Sequence, residues 1–101
     1  MTDRELLELA AKAAGLLVTG IYDVSGMGET IFVEQAAWNP LADDGDALRL
    51  AVRCAQLFGF FRFMRVWLVC MSDEAGSPSD PYAATRRAIV RAAAEIGKGV
   101  K

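Results

Sequence analysis

The sequence predicts a small α/β (α+β) domain: an α/β/α sandwich with the element order α-β-β-α-β-α and a three- to four-stranded sheet. First, 101 residues that are 53% hydrophobic and 24% charged have the composition of one core-forming domain, spanning residues 1–101. Second, helical periodicity recurs in three segments that alternate with β-rich runs. Third, the run from Phe60 to Met71 is apolar on both alternating faces, which is typical of a strand covered on two sides.

The first element is a helix over residues 3–14. Thr2-Asp3-Arg4-Glu5 fits a capping box, in which the Thr2 hydroxyl accepts a hydrogen bond from the amide three residues on. Leu6, Leu9 and Ala13 then recur at helical spacing, so one side of this helix is expected to face the core.

An antiparallel hairpin follows, with strands at 17–24 and 30–35. Both segments are rich in β-branched and aromatic residues, and Ser25–Gly28 between them has the composition of a turn. Gly20 inside the first strand indicates a β-bulge.

The segment 36–42 is expected to be irregular, because Pro40 disfavours helix at the preceding residue. We expect Trp38 to dock this segment onto the core and Pro40 to fix its path. Asp43 or Asp44 is the predicted N-cap of the next helix, where the helix dipole favours an acidic residue.

The middle helix ends at Gly59, and its only charged residues after the first turn are Arg49 and Arg53. Apolar residues cover most of its remaining circumference, so we predict that it is largely buried and central to the core.

The last two elements are a strand at 64–71 and a C-terminal helix. Asp80-Pro81 gives that helix an N-cap followed by a proline whose fixed φ suits the first helical position. Gly97 is expected to close it.

The composition argues against most enzymatic chemistry. The chain has no histidine, so a Ser-His-Asp triad, a Cys-His pair and imidazole metal ligands are excluded. Its net charge of −2 provides no overall positive field that would attract nucleic acid or an anionic membrane. Ser25–Gly28 precedes a strand and not a helix, so it is not a phosphate loop. The acidic stretch starting at Asp43 has Cys54 where a calcium loop needs glutamate. We expect no enzymatic activity, no cofactor and no metal.

Localisation follows from two further features. Cys54 and Cys70 lie in apolar runs and are interpreted as reduced, buried thiols. The longest fully apolar run, Val66–Met71, is far shorter than a membrane span, and the polar N-terminus is unlike a signal peptide. We therefore expect a cytoplasmic protein without a membrane partner.

Two surfaces are candidates for binding. Arg86, Arg87 and Arg91 form a basic strip on the last helix, which is either an ordinary solvated face or a nucleic-acid contact. The aromatic run that includes Phe60, Phe61 and Phe63 exceeds what one buried strand face needs, which indicates a patch for self-association.

Two longer segments carry a family resemblance. Residues 38–52, with Trp-Asn-Pro-Leu joined to the aspartate-rich cap, and residues 80–97 together with the opening helix resemble the phage ABA sandwich domain family. The resemblance implies an α/β/α sandwich and a phage or prophage origin. The family has no established activity, so no catalytic or binding residue is carried over. Residues 57–79 depart from the family in being unusually aromatic.

These observations favour a phage- or prophage-type accessory protein that acts in the bacterial host by binding another protein, with a second copy of itself as one possible partner. A nucleic-acid-binding module that uses the basic strip is the alternative. A third hypothesis is a small-ligand enzyme in which Asp23, Glu29 and Glu34 of the hairpin act as acid and base.

Overall fold

A computed structural model describes residues 2–23, 29–33, 36–74 and 80–99. Within these ranges the elements, in chain order, are helix α1 (Asp3–Ala13), strands β1 (Val18–Asp23), β2 (Glu29–Val33) and β3 (Ala36–Trp38), and helices α2 (Asp44–Phe58), α3 (Phe60–Glu74) and α4 (Pro81–Lys98). The described chain is a small, mostly helical α+β domain with a three-stranded antiparallel sheet.

The N-terminal helix begins where the capping pattern predicts. Thr2 is the N-cap of α1, and its Oγ1 accepts a hydrogen bond from the Glu5 amide at 3.2 Å. Leu6, Leu7 and Ala10 are buried on the inner side of this helix.

The predicted hairpin is confirmed, and a third strand extends it. β1 pairs antiparallel with β2, and the register shifts between Val18 and Gly20, at the position predicted for a bulge. β3 pairs antiparallel with β2 in the order β1-β2-β3, placing Trp38 opposite Ile31. Segment 36–42, expected to be irregular, therefore begins with a short strand, because pairing with β2 overrides the weak β-propensity of two alanines.

One face of the sheet joins the hydrophobic core. Ile31, Val33 and Trp38 are buried together with residues of all four helices. Pro40 is also fully buried just after β3. The irregular segment is therefore held against the core at both Trp38 and Pro40.

Helix α2 starts as predicted but is less buried than predicted. Asp43 is its N-cap and accepts a hydrogen bond from the Asp46 amide at 2.8 Å. Its inward side buries Leu50 and Cys54, whereas Leu48, half a turn away, is 64% exposed. The expectation of a largely buried, central helix is wrong, because an apolar side chain on a helix does not show whether another element covers it.

The predicted strand at 64–71 is wrong: residues 60–74 form one continuous helix, α3. The buried positions Phe63 and Cys70 are seven residues apart, with Val66 and Trp67 half-buried between them, which is the spacing of one helix face. The run looked two-sided because the opposite, solvent-facing side of this helix is also apolar. The observed order is therefore α-β-β-β-α-α-α, and residues 60–74 supply no strand that would be covered on both faces.

Helices α1 and α4 make the closest contact in the core. Asp80 caps α4 by accepting hydrogen bonds from the Tyr82 and Ala83 amides, both at 3.1 Å, with Pro81 at the first position. Small residues are buried along both helices, which permits a close approach: Ala10, Ala11 and Ala13 on α1, and Ala88, Ala92, Ala93 and Ala94 on α4. Gly97 faces the Leu9 backbone so closely that a Cβ at this position would clash with the Leu9 carbonyl oxygen.

Candidate functional site

Helices α2 and α3 are joined by one residue, Gly59. Its φ of 94° and ψ of 140° lie in a region that side chains other than glycine rarely adopt. The Gly59 amide donates to the Ala55 carbonyl and its own carbonyl accepts from the Phe63 amide, so this residue both ends α2 and starts α3. The chain therefore passes from one long helix to the next without a loop.

A groove of about 540 Å³ opens between these two helices, with α4 beneath it. Its lining is almost entirely apolar. The α2 wall consists of Leu48, Ala51, Val52 and Ala55 with Gln56, the α3 wall of Phe60, Phe63, Met64 and Trp67, and the floor of Thr85 and Ile89. A concave apolar site of this size lies in the range of ligand and peptide sites.

The rim of the groove exposes large apolar side chains. Leu48 is 64% exposed, Phe60 56% and Phe61 85%, and Val52 and Leu68 are also about half exposed. Contiguous apolar surface of this kind on a monomer marks an interaction site more often than a solvated face.

The three phenylalanines singled out in the sequence have different positions. Phe60 and Phe61 lie at the rim with ring centroids 5.9 Å apart in an edge-to-face arrangement. Phe63, in contrast, is 5% exposed and belongs to the core. Two of the three are thus available for association, and the third holds α3 in place.

Trp67 forms part of the groove wall one turn from Phe63. Its indole Nε1 is buried and has no hydrogen-bond partner among the described residues. A buried donor without a partner costs about 1–3 kcal/mol, so this tryptophan serves packing at the expense of an unpaired N–H.

The arginines of the predicted basic strip are engaged within the chain. The Arg86 side chain, 17% exposed, donates from Nε to the Leu41 carbonyl at 2.9 Å and from Nη1 to Asp44 at 2.6 Å. Arg87 pairs with Asp3 at 3.2 Å. The strip therefore ties α4 to the start of α2 and to α1.

Arg91 completes this set of ion pairs. It contacts Glu74 at 2.9 Å and Asp73 at 3.1 Å, at the end of α3. Hydrogen bonding to Glu74, and then to Asp73, raises the pKa of Arg91 despite partial desolvation. The three arginines face carboxylates of their own chain, so their net field toward an external phosphate is small.

The two cysteines are buried thiols without a disulfide. Burial raises the pKa of Cys54 to about 11, and burial also raises the pKa of Cys70. At neutral pH such thiols are protonated, and the thiolate is the nucleophilic form. Neither cysteine has the environment of a catalytic nucleophile.

The side chains of Asp23 and Glu29, and the whole of Glu34, lie outside the described residues, so the acid–base hypothesis on the hairpin stays a prediction. In the part of the chain that is described, no three His, Cys, Asp or Glu side chains are grouped to hold a metal ion. No helix in those ranges is long and apolar enough to cross a membrane.

The sequence does not predict the groove, because the apolar pattern of residues 64–71 favours a strand at the place where α3 forms one wall. The usable signal is length: residues 60–74 run for fifteen residues without glycine or proline, which exceeds the usual strand.

Comparison with known proteins adds no assignment: no protein-family model matches the chain, and no curated protein or solved structure matches it.

Proposed function

We propose that this protein is a non-enzymatic protein-binding module whose binding surface is the apolar groove between α2 and α3. The observation that carries the proposal is a 540 Å³ apolar groove whose rim leaves Leu48, Phe60 and Phe61 more than half exposed. Grooves between helices bind a partner's helical face through apolar side chains spaced at i, i+3, i+4 and i+7.

A protein partner fits this surface better than a small polar substrate. The groove offers Gln56 and Thr85 as its polar lining residues, so it supplies few groups that would orient a polar ligand. The protonated, buried thiols of Cys54 and Cys70 also offer no nucleophile. A partner helix needs only a complementary apolar face.

The nucleic-acid alternative has less support from the geometry. Arg86, Arg87 and Arg91 pair with carboxylates of α1, α2 and α3, and phosphate binding would require breaking those pairs. This alternative predicts strongly salt-dependent retardation of DNA or RNA, and loss of that retardation when the three arginines are replaced by alanine.

We also propose a phage or prophage origin and α/β/α layering, because residues 38–52 and 80–97 resemble the phage ABA sandwich domain family. The described contacts place helices on the sheet face that carries Ile31, Val33 and Trp38, and a full sandwich requires helices on the other face as well. The flanking genes test the origin: phage structural or regulatory genes are expected, and a metabolic operon would contradict it.

The binding test uses a fluorescently labelled amphipathic helix of leucine and lysine as the probe, with a scrambled peptide of the same composition. Fluorescence anisotropy should show that the amphipathic peptide binds and that the scrambled peptide does not. Val52→Glu places a charge in the groove wall and should weaken binding about tenfold or more.

Val69→Glu is the matched control. Val69 is 63% exposed on α3 but does not line the groove, so this variant should bind like the unmodified protein. If the scrambled peptide binds equally well, or if Val52→Glu has no effect, the groove is not a helix-binding surface.

A further inference from the structure

We propose that the solvent-facing side of α3 docks on an anionic lipid bilayer, with apolar side chains entering the membrane and two arginines binding lipid headgroups. This surface, the outer face of α3, consists of Phe61, Arg62, Arg65, Leu68 and Val69. None of these residues lines the groove. The inference therefore goes beyond the proposed function and does not depend on it.

The residues of the outer face share one side of the helix. Counted from Phe61 they fall at i, i+1, i+4, i+7 and i+8, which a repeat of 3.6 residues places within about 120° of arc. Phe61 is 85% exposed, and Leu68 and Val69 are each more than half exposed. The opposite side of the helix carries the buried Phe63 and Cys70. The outer face is therefore apolar and open to solvent at once.

The two arginines of this face are not engaged in ion pairs. Arg62 and Arg65 have neither a carboxylate nor a carbonyl partner among the described residues, although the Arg62 guanidinium lies 5.6 Å from the centroid of the Phe58 ring. The other described arginines each have such a partner on their own chain. The guanidinium groups of the outer face can therefore donate to the phosphate oxygens of a lipid headgroup without breaking an ion pair.

The carboxylates on the neighbouring flank of α3 are occupied. Asp73 and Glu95 line a cavity of about 520 Å³ between α3 and α4, which Arg62 and Arg65 also line. Asp73 pairs with Arg91 at 3.1 Å, and Glu95 pairs with Lys98 at 2.9 Å. The positive charges of the outer face are therefore not cancelled by these two acids.

The shape of α3 favours a deformable partner. The groove opens along one flank of the helix, at Met64 and Trp67, and the cavity that Arg62 lines opens along the other. The outer face is thus the crest of a ridge. A folded protein would need a matching furrow to cover it, whereas lipid chains and headgroups rearrange around a ridge. Helices of this kind lie in the plane of the interface, with aromatic and aliphatic side chains inserted and arginines extended toward the headgroups.

The sequence favours no membrane partner, because its longest apolar run is too short to span a bilayer and its net charge is −2. Peripheral docking needs no spanning segment. It also depends on charges close to the lipid, because salt screens charges beyond about 10 Å at 0.1 M ionic strength. Two unpaired arginines beside an exposed phenylalanine can therefore attract an anionic surface in a chain that is acidic overall.

Co-sedimentation with large unilamellar vesicles tests the docking. Vesicles of phosphatidylcholine with about 30% phosphatidylglycerol should bind the protein at about 0.1 M salt. Vesicles of phosphatidylcholine alone should bind it about tenfold more weakly or less well still, because they carry no net negative charge. Raising the salt concentration to about 0.5 M should release most of the bound protein.

Two variants remove the two components of the surface. Phe61→Ser removes the most exposed apolar side chain, and Arg62→Gln/Arg65→Gln removes both charges. Each variant should weaken binding to the anionic vesicles about tenfold or more. Circular dichroism verifies that both are folded, as expected for exposed side chains.

Matched control variants lie outside α3. Leu17→Ser removes an apolar side chain that is 69% exposed, and Arg4→Gln/Lys12→Gln removes two positive charges from exposed positions of α1. Both controls should bind the anionic vesicles within about threefold of the unmodified protein, because their side chains are not on the docking face. Losses equal to those of the α3 variants would overturn the assignment of the outer face.

Phe61→Trp tests whether this position enters the bilayer. Tryptophan is favoured at membrane interfaces, so this variant should still bind. Its fluorescence emission, compared with that of the unmodified protein, should shift to shorter wavelength when anionic vesicles are added. Binding without such a shift would overturn the insertion of the outer face.

Other occupants of the outer face give different results. No binding to anionic vesicles at about 1 mM lipid overturns the proposal. If the same protein then retards a DNA duplex and Arg62→Gln/Arg65→Gln does not, the face binds nucleic acid instead. If it forms a dimer in sedimentation equilibrium that Phe61→Ser dissociates, the face binds a second copy. Peptide binding in the groove is measured separately, so failure here leaves the proposed function standing.

Discussion

Replacing Gly97 with alanine tests the close contact between α1 and α4. Two effects of opposite sign compete at this position. Alanine stabilises a helix by up to about 1 kcal/mol relative to glycine. The added methyl group, however, meets the Leu9 carbonyl oxygen inside van der Waals distance and lies 3.0 Å from the Leu9 carbonyl carbon.

The steric effect should prevail because the obstacle is backbone, which cannot rotate away. α1 must move outward, and that movement loosens the packing of small buried residues such as Ala10 and Ala93. Overpacking of this kind costs about 1–3 kcal/mol, and with lost packing added and the helix gain subtracted we expect a net loss of about 2 kcal/mol. The melting temperature should fall by roughly 8–16 °C.

Urea denaturation followed by far-UV circular dichroism measures this change. Gly99→Ala is the matched control, because a Cβ there meets the Ile96 carbonyl oxygen at 3.6 Å, an ordinary contact, and the φ of −89° suits alanine. That variant should remain within about 0.5 kcal/mol of the unmodified protein. A Gly97→Ala protein that is as stable as the unmodified one, or more stable, would refute the reasoning.

Three further predictions concern burial and charge. Leu50→Ala should lower the free energy of unfolding by about 2–5 kcal/mol, because Leu50 is fully buried. Leu48→Ala at the exposed rim should change it by less than about 1 kcal/mol. Equal effects would contradict the burial of Leu50 and the exposure of Leu48 on opposite sides of α2. Arg86→Ala should lower the free energy of unfolding by about 2 kcal/mol, because Arg86 donates hydrogen bonds to a carbonyl and a carboxylate, whereas Arg65→Ala should leave it almost unchanged. Urea denaturation measures both, and an Arg86→Ala protein of unchanged stability would show that Arg86 is not structural. Burial raises the pKa of Cys54 from 9.0 to about 11, so the thiol ionises at lower pH in the unfolded chain than in the folded protein. The contribution of Cys54 to the free energy of unfolding is therefore complete below pH 9 and falls by roughly 2–3 kcal/mol as the pH rises to about 11. The free energy of unfolding of Cys54→Ala should decline less steeply over this pH range, and an equal decline in both proteins would contradict the shift.

Local signals in the sequence predicted several elements correctly. Thr2, Asp43 and Asp80 cap helices at the positions expected from their side chains, because capping depends on a few neighbouring residues. The bulge near Gly20 and the antiparallel hairpin also follow from local turn and strand chemistry.

What the sequence could not show was which apolar surfaces are covered. Phe61 and Leu68 are as hydrophobic as buried residues although both are exposed. A helix with two apolar sides therefore has the sequence pattern expected of a strand that is covered on both faces. The strand over 36–38 was missed for a related reason: two alanines have little β-propensity, and only pairing with β2 makes them a strand. The groove depends on both helices and on α4 at once, so no single segment carries its signature.

The one-residue connection at Gly59 also bears on how this surface can change in evolution. Among the described residues, apart from its two chain neighbours, no atom lies within 4 Å of where a Cβ would stand there, so backbone conformation restricts the residue type. The junction between the helices therefore does not depend on the side chains on their outer faces. Substitutions at the exposed positions Leu48 or Phe61 can therefore change the apolar surface around the groove without altering the backbone that frames it.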